Sequence, residues 1–189
     1  MSLAERGKTE RKGDWIQTFS GLQFWPLDPR PEEINIEDIA HALAMQCRYS
    51  GHVETFYSVA DHSIRVSEII TEPLKLAALL HDAAEAYLVD LPRPIKRFSG
   101  LGRHYREIED ALCAVICERF GLAPEAFDSP SIKYCDNVML STEKRDLMKI
   151  PPKAWFETEP PLETKIVPLT WQESEKRFLQ AFNRLAVTR

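Results

Sequence analysis

Residues 74–88 are apolar nearly all the way round, the pattern of a helix that must run through the middle of a core. An imidazole and a carboxylate, His81 and Asp82, stand next to each other inside that stretch, in Leu79-Leu80-His81-Asp82-Ala83-Ala84-Glu85. An imidazole and a carboxylate buried side by side are expensive to desolvate unless something satisfies both. A divalent cation would do so. The dipeptide alone is weak support, because His-Asp pairs arise by chance. Two other polar intrusions strengthen it. His62, in Ser58-Val59-Ala60-Asp61-His62-Ser63, falls on an apolar stripe with Val59, Val66, Ile69 and Ile70. Asp136 shares a helix face with Met139, Leu140, Glu143 and Leu147, which apart from Glu143 is apolar. A lone histidine on such a stripe is usually a satisfied core residue. Three intrusions of complementary type point to one metal site made of His62, His81, Asp82 and Asp136.

Two neutral imidazoles and two carboxylates carry a charge that a divalent ion balances. The mixed nitrogen and oxygen set suits Mn, Co, Ni, Fe or Zn better than Mg, which prefers oxygen and its own waters. Four protein ligands leave octahedral positions for water or substrate, and a water so held is acidified toward neutral pH. Glu85 lies one turn after His81 and on its face. Asp90 opens the turn that follows. Both are candidate catalytic groups, against the plainer readings of a solvated glutamate and a turn-initiating aspartate.

Around this centre the periodicity predicts helices over 36–47, 59–71, 74–88, 103–120, 130–148 and 170–186. Ser58 reads as the cap of the second, with Asp61 as an acidic variant of the capping box. Pro73 opens the third and Gly121 closes the fourth. Residues 15–25 alternate around Ser20-Gly21 and read as a small hairpin. Residues 90–97, with two prolines and several cations, read as a turn, and 153–168 as irregular. Residues 1–14 are polar and charged and are expected to be disordered. The class is therefore all-α with minor strand. At 189 residues the chain is long enough for one domain with a full core.

Net charge is −5, which argues against binding a nucleic-acid polymer but not against a small anion. The four cysteines, Cys47, Cys113, Cys117 and Cys135, lack the partner spacing of a zinc finger and read as reduced thiols. No apolar run has the length of a membrane span, and the N-terminus lacks the apolar core of a signal peptide, so a cytoplasmic protein is expected.

The His62 segment, His81-Asp82-Ala83-Ala84-Glu85 and Asp90-Leu91-Pro92-Arg93-Pro94-Ile95-Lys96 together resemble the HD-domain metal-dependent phosphohydrolases, and most closely their 5'-deoxynucleotidase (YfbR-like) branch. The resemblance covers about residues 36–148. It implies a helical bundle over 15–189 whose N- and C-terminal arms lie outside the matched core. It implies metal ligation by His62, His81, Asp82 and Asp136, water activation by Glu85 and Asp90, a nucleotide substrate and a homodimer. In that branch an arginine before the first histidine binds phosphate. Arg48, 14 residues ahead of His62, is its counterpart here, and a guanidinium fork suits phosphate oxygens. Lys96 is a second candidate substrate contact. Tyr49 stands where the branch has a tryptophan near the sugar, which leaves sugar selectivity open. Gly51-His52 shares that loop and has no recognised counterpart. The arm aromatics Trp15, Phe19, Phe24, Trp25, Trp155 and Phe156 read as core or interface. Only His104 lies between the His-Asp pair and Asp136, so one metal is favoured over two.

The expected function is release of phosphate from a nucleoside monophosphate or similar small molecule. The alternatives are a phosphodiesterase on the same fold and a non-catalytic, metal-containing nucleotide-binding regulator.

Overall fold

Polar caps and apolar stripes set the helices. The computed structural model describes residues 11–155 and 159–187. Helix α1 (Ile36–Met45) starts where the Asn35 side chain accepts from Glu37 N, and it buries Ile39, Ala40, Leu43 and Ala44. Helix α2 (Val59–Ile69) starts where Ser58 Oγ accepts from Asp61 N at 3.0 Å. The reciprocal half of the expected capping box is absent. Asp61 instead accepts from Arg65 Nε at 2.8 Å and from Leu169 N at 2.9 Å, so it ties down the C-terminal segment.

The single helix predicted over 74–88 is two short ones, α3 (Lys75–Leu80) and α4 (Glu85–Leu88). Between them the amides of Ala83, Glu85, Ala86 and Tyr87 bond three residues back rather than four, a tightened 3₁₀-like turn. The cause is local: the His81 ring takes the Ala78 carbonyl that Asp82 N would occupy in a continuous helix. Residues 90–97 are also more ordered than the turn their prolines suggested. Arg93–Phe98 form α5, with Pro94 in the first turn, where its missing N–H does no harm. Helix α5 lies tight on α6 (Gly100–Arg119), and Gly102 permits it. A methyl group on Gly102 would run into the carbonyl oxygens of Ile95 and Lys96.

Helix α7 (Pro130–Leu147) and α8 (Trp171–Ala186) complete the set. Helix α2 is the centre, packed by α1, α3, α7 and α8. The core joins Leu43, Val59, Leu79, Leu112, Ile116, Met139 and Phe178, all essentially inaccessible. The fold is all-α apart from β1 (Ile16–Gln17) and β2 (Gln23–Phe24), antiparallel with Ile16 opposite Phe24. That hairpin is docked by Asp38, which accepts from Ser20 N at 2.6 Å and Ser20 Oγ at 2.8 Å. Phe24 is buried and stacks on Tyr87 at 4.1 Å.

Residues 1–10 of the expected disordered segment lie outside the described residues, whereas Arg11 pairs with Asp28 and Glu33, each at 2.6 Å. The irregular stretch before α8 is held by side chains standing in for a backbone ladder. Thr142 Oγ1 accepts from Leu162 N, Asp146 Oδ2 accepts from Ile166 N, and Arg145 donates to the Leu162 and Thr164 carbonyls. The four cysteines are free thiols. No helix among the described residues is long and apolar enough to cross a membrane.

Candidate metal centre

The two histidines present their ring nitrogens to one point because each is anchored by its other nitrogen. His62 Nδ1 meets Glu143 Oε1 at 2.6 Å, and His81 Nδ1 meets the Ala78 carbonyl at 2.7 Å. Carboxylates and carbonyls accept, so both rings carry the proton on Nδ1 and turn a lone pair outward at Nε2. Both Nε2 atoms are buried with no hydrogen-bond partner among the described residues. Asp136 Oδ1 lies 3.3 Å from His62 Nε2. The Asp82 carboxylate spans the pair, 3.6 Å from His62 Nε2 and 3.4 Å from His81 Nε2. One ligand atom from each of His62, His81 and Asp136 falls within 4.8 Å of the others. His62 from α2, His81 from the turn after α3 and Asp136 from α7 therefore converge, whereas Asp82, expected as a fourth ligand, is not part of that group of three. Two orphaned imidazole nitrogens facing carboxylates are what a divalent cation with nitrogen and oxygen ligands requires.

Glu143 is the residue that sequence reasoning passed over. It is fully buried on α7, and both its oxygens are engaged. Besides His62 it accepts from the Tyr49 hydroxyl at 2.5 Å and lies 3.3 Å from Arg48 Nε. Burial alone would raise its carboxyl, but Arg48 and His62 outweigh that and hold it down at about 2. Burial and Arg48 push the His62 imidazolium down; Glu143 and Asp136 more than offset them, and it rises to about 9. Asp136 itself, despite burial, is held well below the carboxylate range by the adjoining His62, His81 and Arg48.

Arg48 and Tyr49 are brought to the centre by an unusual turn. The ends of the 48–57 loop are zipped by Arg48 N donating to Tyr57 O and Val59 N donating to Gln46 O. Tyr49 (φ 56°) and Ser50 (φ 53°) then adopt left-handed backbone, which disfavours side chains other than glycine by about 1–3 kcal/mol. That strain aims Arg48 at Asp82, with Nη1 3.3 Å from Oδ2, and puts the Tyr49 hydroxyl on Glu143.

Glu85 is buried, and its Oε2 has no partner among the described residues. Burial, reinforced by Asp82 and Asp90, raises its carboxyl well above the usual range. Gln46 was also overlooked. Its amide nitrogen donates to Glu85 O at 2.9 Å and its oxygen accepts from Asp90 N at 3.3 Å, so one side chain spaces both predicted catalytic groups. Between them Val89 has φ 75° and ψ 151°, a conformation rare outside glycine.

These residues open on a cavity of about 970 Å³. Its lining includes Arg48, Tyr49, His52, Asp82, Glu85, Asp90 and Asp136, a basic wall of Arg93, Lys96, Arg97 and Arg106, and an apolar wall of Leu140, Met148 and Trp155. Lys96 reaches the cavity, but its ammonium is already paired with Glu109 at 2.5 Å. Trp155 sits beside this cavity, its ring centroid 6.2 Å from that of Tyr49. Phe156 lies outside the described residues.

No protein-family model matches the chain. The chain is 27% identical over 138 residues to a 5'-deoxynucleotidase of Pasteurella multocida, covering 68% of this chain and 61% of that protein. It is 40% identical over 148 residues to an uncharacterized protein of Rhodobacter capsulatus, covering 72% and 74% respectively. It is 38% identical over 178 residues to the uncharacterized protein YfdR of Escherichia coli K12, covering 93% of this chain and 97% of YfdR. At that identity and coverage, the chain belongs to the family of YfdR.

Proposed function

We propose that this chain is an HD-type metal-dependent phosphohydrolase, and specifically a phosphomonoesterase that releases phosphate from a nucleoside monophosphate. The observation that carries this reading is the pair of buried, unpartnered Nε2 atoms facing Asp82 and Asp136. The distant likeness to a 5'-deoxynucleotidase supports the substrate class.

His62, His81, Asp82 and Asp136 would hold one divalent cation, Mn, Co, Ni, Fe or Zn in preference to Mg. Bound there, such an ion supplies Lewis acidity: it acidifies a water and neutralises charge developing on the phosphoryl group. The chain's own residues do the rest. Arg48, pre-paired with Asp82 and Glu143, offers its remaining N–H groups to phosphoryl oxygens. Burial, with Asp82 and Asp90 nearby, pushes the Glu85 carboxyl well above its ordinary range, which suits it to donate a proton to the leaving oxygen. Asp90, held one turn away by Gln46, accepts a proton from the attacking water. Tyr49, Leu140, Met148 and Trp155 give the nucleoside an apolar berth. We take residues 15–189 as one domain: Phe24 of the N-terminal arm stacks on Tyr87, and Trp155 of the C-terminal arm lines the cavity.

The test is phosphate release from a panel of nucleotides by metal-stripped protein resupplied with Mn, Co, Ni or Mg. Mn- or Co-dependent release is expected, lost in Asp82→Ala and Asp136→Ala while the far-ultraviolet circular dichroism persists. Undiminished hydrolysis by the metal-free protein would overturn the reading.

A further inference from the structure

The basic wall of the cavity contains more positive charge than one phosphate needs. Arg93 and Arg97 are one turn apart on α5 and line the same cavity. Like charges four residues apart on a helix repel. In a chain with net charge −5, an acidic neighbour would be the simple remedy, yet neither arginine has an ion-pair partner among the described residues. Their neighbours are used internally. Lys96 is paired with Glu109, and Arg106 donates to the Lys96 carbonyl, which closes the end of α5. Gly102 lets α5 sit close on α6, so the two free guanidiniums stand on a fixed wall rather than a loose loop. Arg48 already serves the phosphoryl group at the metal centre.

We infer that Arg93 and Arg97 form a second anion subsite, and that the preferred ligand is a nucleotide with a further phosphate beyond the one at the metal centre. This rests on the proposed phosphohydrolase reading for which phosphate is cleaved, but not for whether the second is bound. Two guanidinium forks match the oxygens of one phosphate, and each charged hydrogen bond is of the strong kind. A cavity near the top of the usual range for small-ligand sites leaves room for both groups.

The test is calorimetric binding to the metal-stripped full chain at fixed ionic strength. The probes are adenosine 5'-monophosphate, adenosine 5'-diphosphate and adenosine 3',5'-bisphosphate. At least one of the two-phosphate probes is expected to bind about tenfold or more tightly than the monophosphate. In the double variant R93Q/R97Q that advantage should vanish, with monophosphate affinity and melting temperature unchanged. Whichever probe gains tells where the second phosphate sits. Equal binding of all three by the wild type, or an equal loss for all three in the variant, overturns the subsite. The second outcome would mean diffuse attraction only. If the wild type shows the advantage but hydrolyses no ester, the subsite stands and the phosphohydrolase reading falls.

Discussion

Replacing Glu143 with glutamine separates metal affinity from fold, because the change keeps shape and removes charge. The carboxylate now accepts from His62 Nδ1 and the Tyr49 hydroxyl and balances Arg48. Glutamine can still accept from His62, but its amide nitrogen would face Arg48 and Tyr49, both donors. Removing one partner of a buried charge cluster destabilises by about 3–5 kcal/mol. Asp82 remains beside Arg48, so the lower end is expected without metal. Losing the support behind a ligating histidine weakens metal binding by about 10–100-fold. At a Mn concentration of about 100 times the wild-type Kd, binding stabilises the wild type by about 2.7 kcal/mol. For Glu143→Gln the same concentration gives only about 1.4 kcal/mol at tenfold weaker affinity and about 0.4 kcal/mol at a hundredfold. For a chain of this length the missing stabilisation corresponds to about 3–9 °C less thermal upshift on adding Mn. Calorimetric Mn titration and melting curves with and without Mn measure both quantities. If Glu143→Gln binds Mn as the wild type does, with the same upshift, then Glu143 does not support the centre and the role assigned to it is wrong.

Two further outcomes follow from the cavity and from the C-terminal clasp. Trp155→Ala should raise KM for a nucleotide by about 5–150-fold, the loss of one base–aromatic stack. It should leave kcat and the KM for ribose 5-phosphate unchanged, and Trp155→Phe should recover much of the loss; equal effects on both substrates would remove Trp155 from base recognition. Asp146 is held below its ordinary range by hydrogen bonding to Arg145, and it also accepts from Ile166 N. A carboxylate lowered in the folded state contributes stability above its unfolded value, near pH 4, and loses it as the pH falls further. Melting temperatures between pH 2 and 6 should therefore fall less steeply in Asp146→Asn than in the wild type, and an unchanged acid slope would dismiss the clasp.

The helices and the convergence of His62, His81 and Asp136 were legible for the same reason. Each of His62, His81, Asp82 and Asp136 interrupts an apolar helical pattern, and such an interruption has to be satisfied somewhere. Glu143 interrupts the same face as Asp136, two turns on, but a glutamate in a helix reads equally well as solvated. Nothing local announces that it meets a histidine 81 positions earlier. Gln46 escaped notice for the same reason, since its value lies in reaching residues 85 and 90. Lys96, whose charge suggested phosphate, lines the cavity and is also paired with Glu109, a partner set by helix register that its own segment does not announce. The break between α3 and α4 depends on a side chain outcompeting a backbone amide for the Ala78 carbonyl, a contest that hydrophobic periodicity does not register. Trp155 read as core or interface because aromatic residues generally are, yet it lines the cavity, a placement that its own segment does not announce. A pattern of apolar positions thus tells which polar groups are forced inside, whereas their partners are decided by tertiary register. For this chain that division falls between the groups that face the proposed cation and the groups that hold them in place.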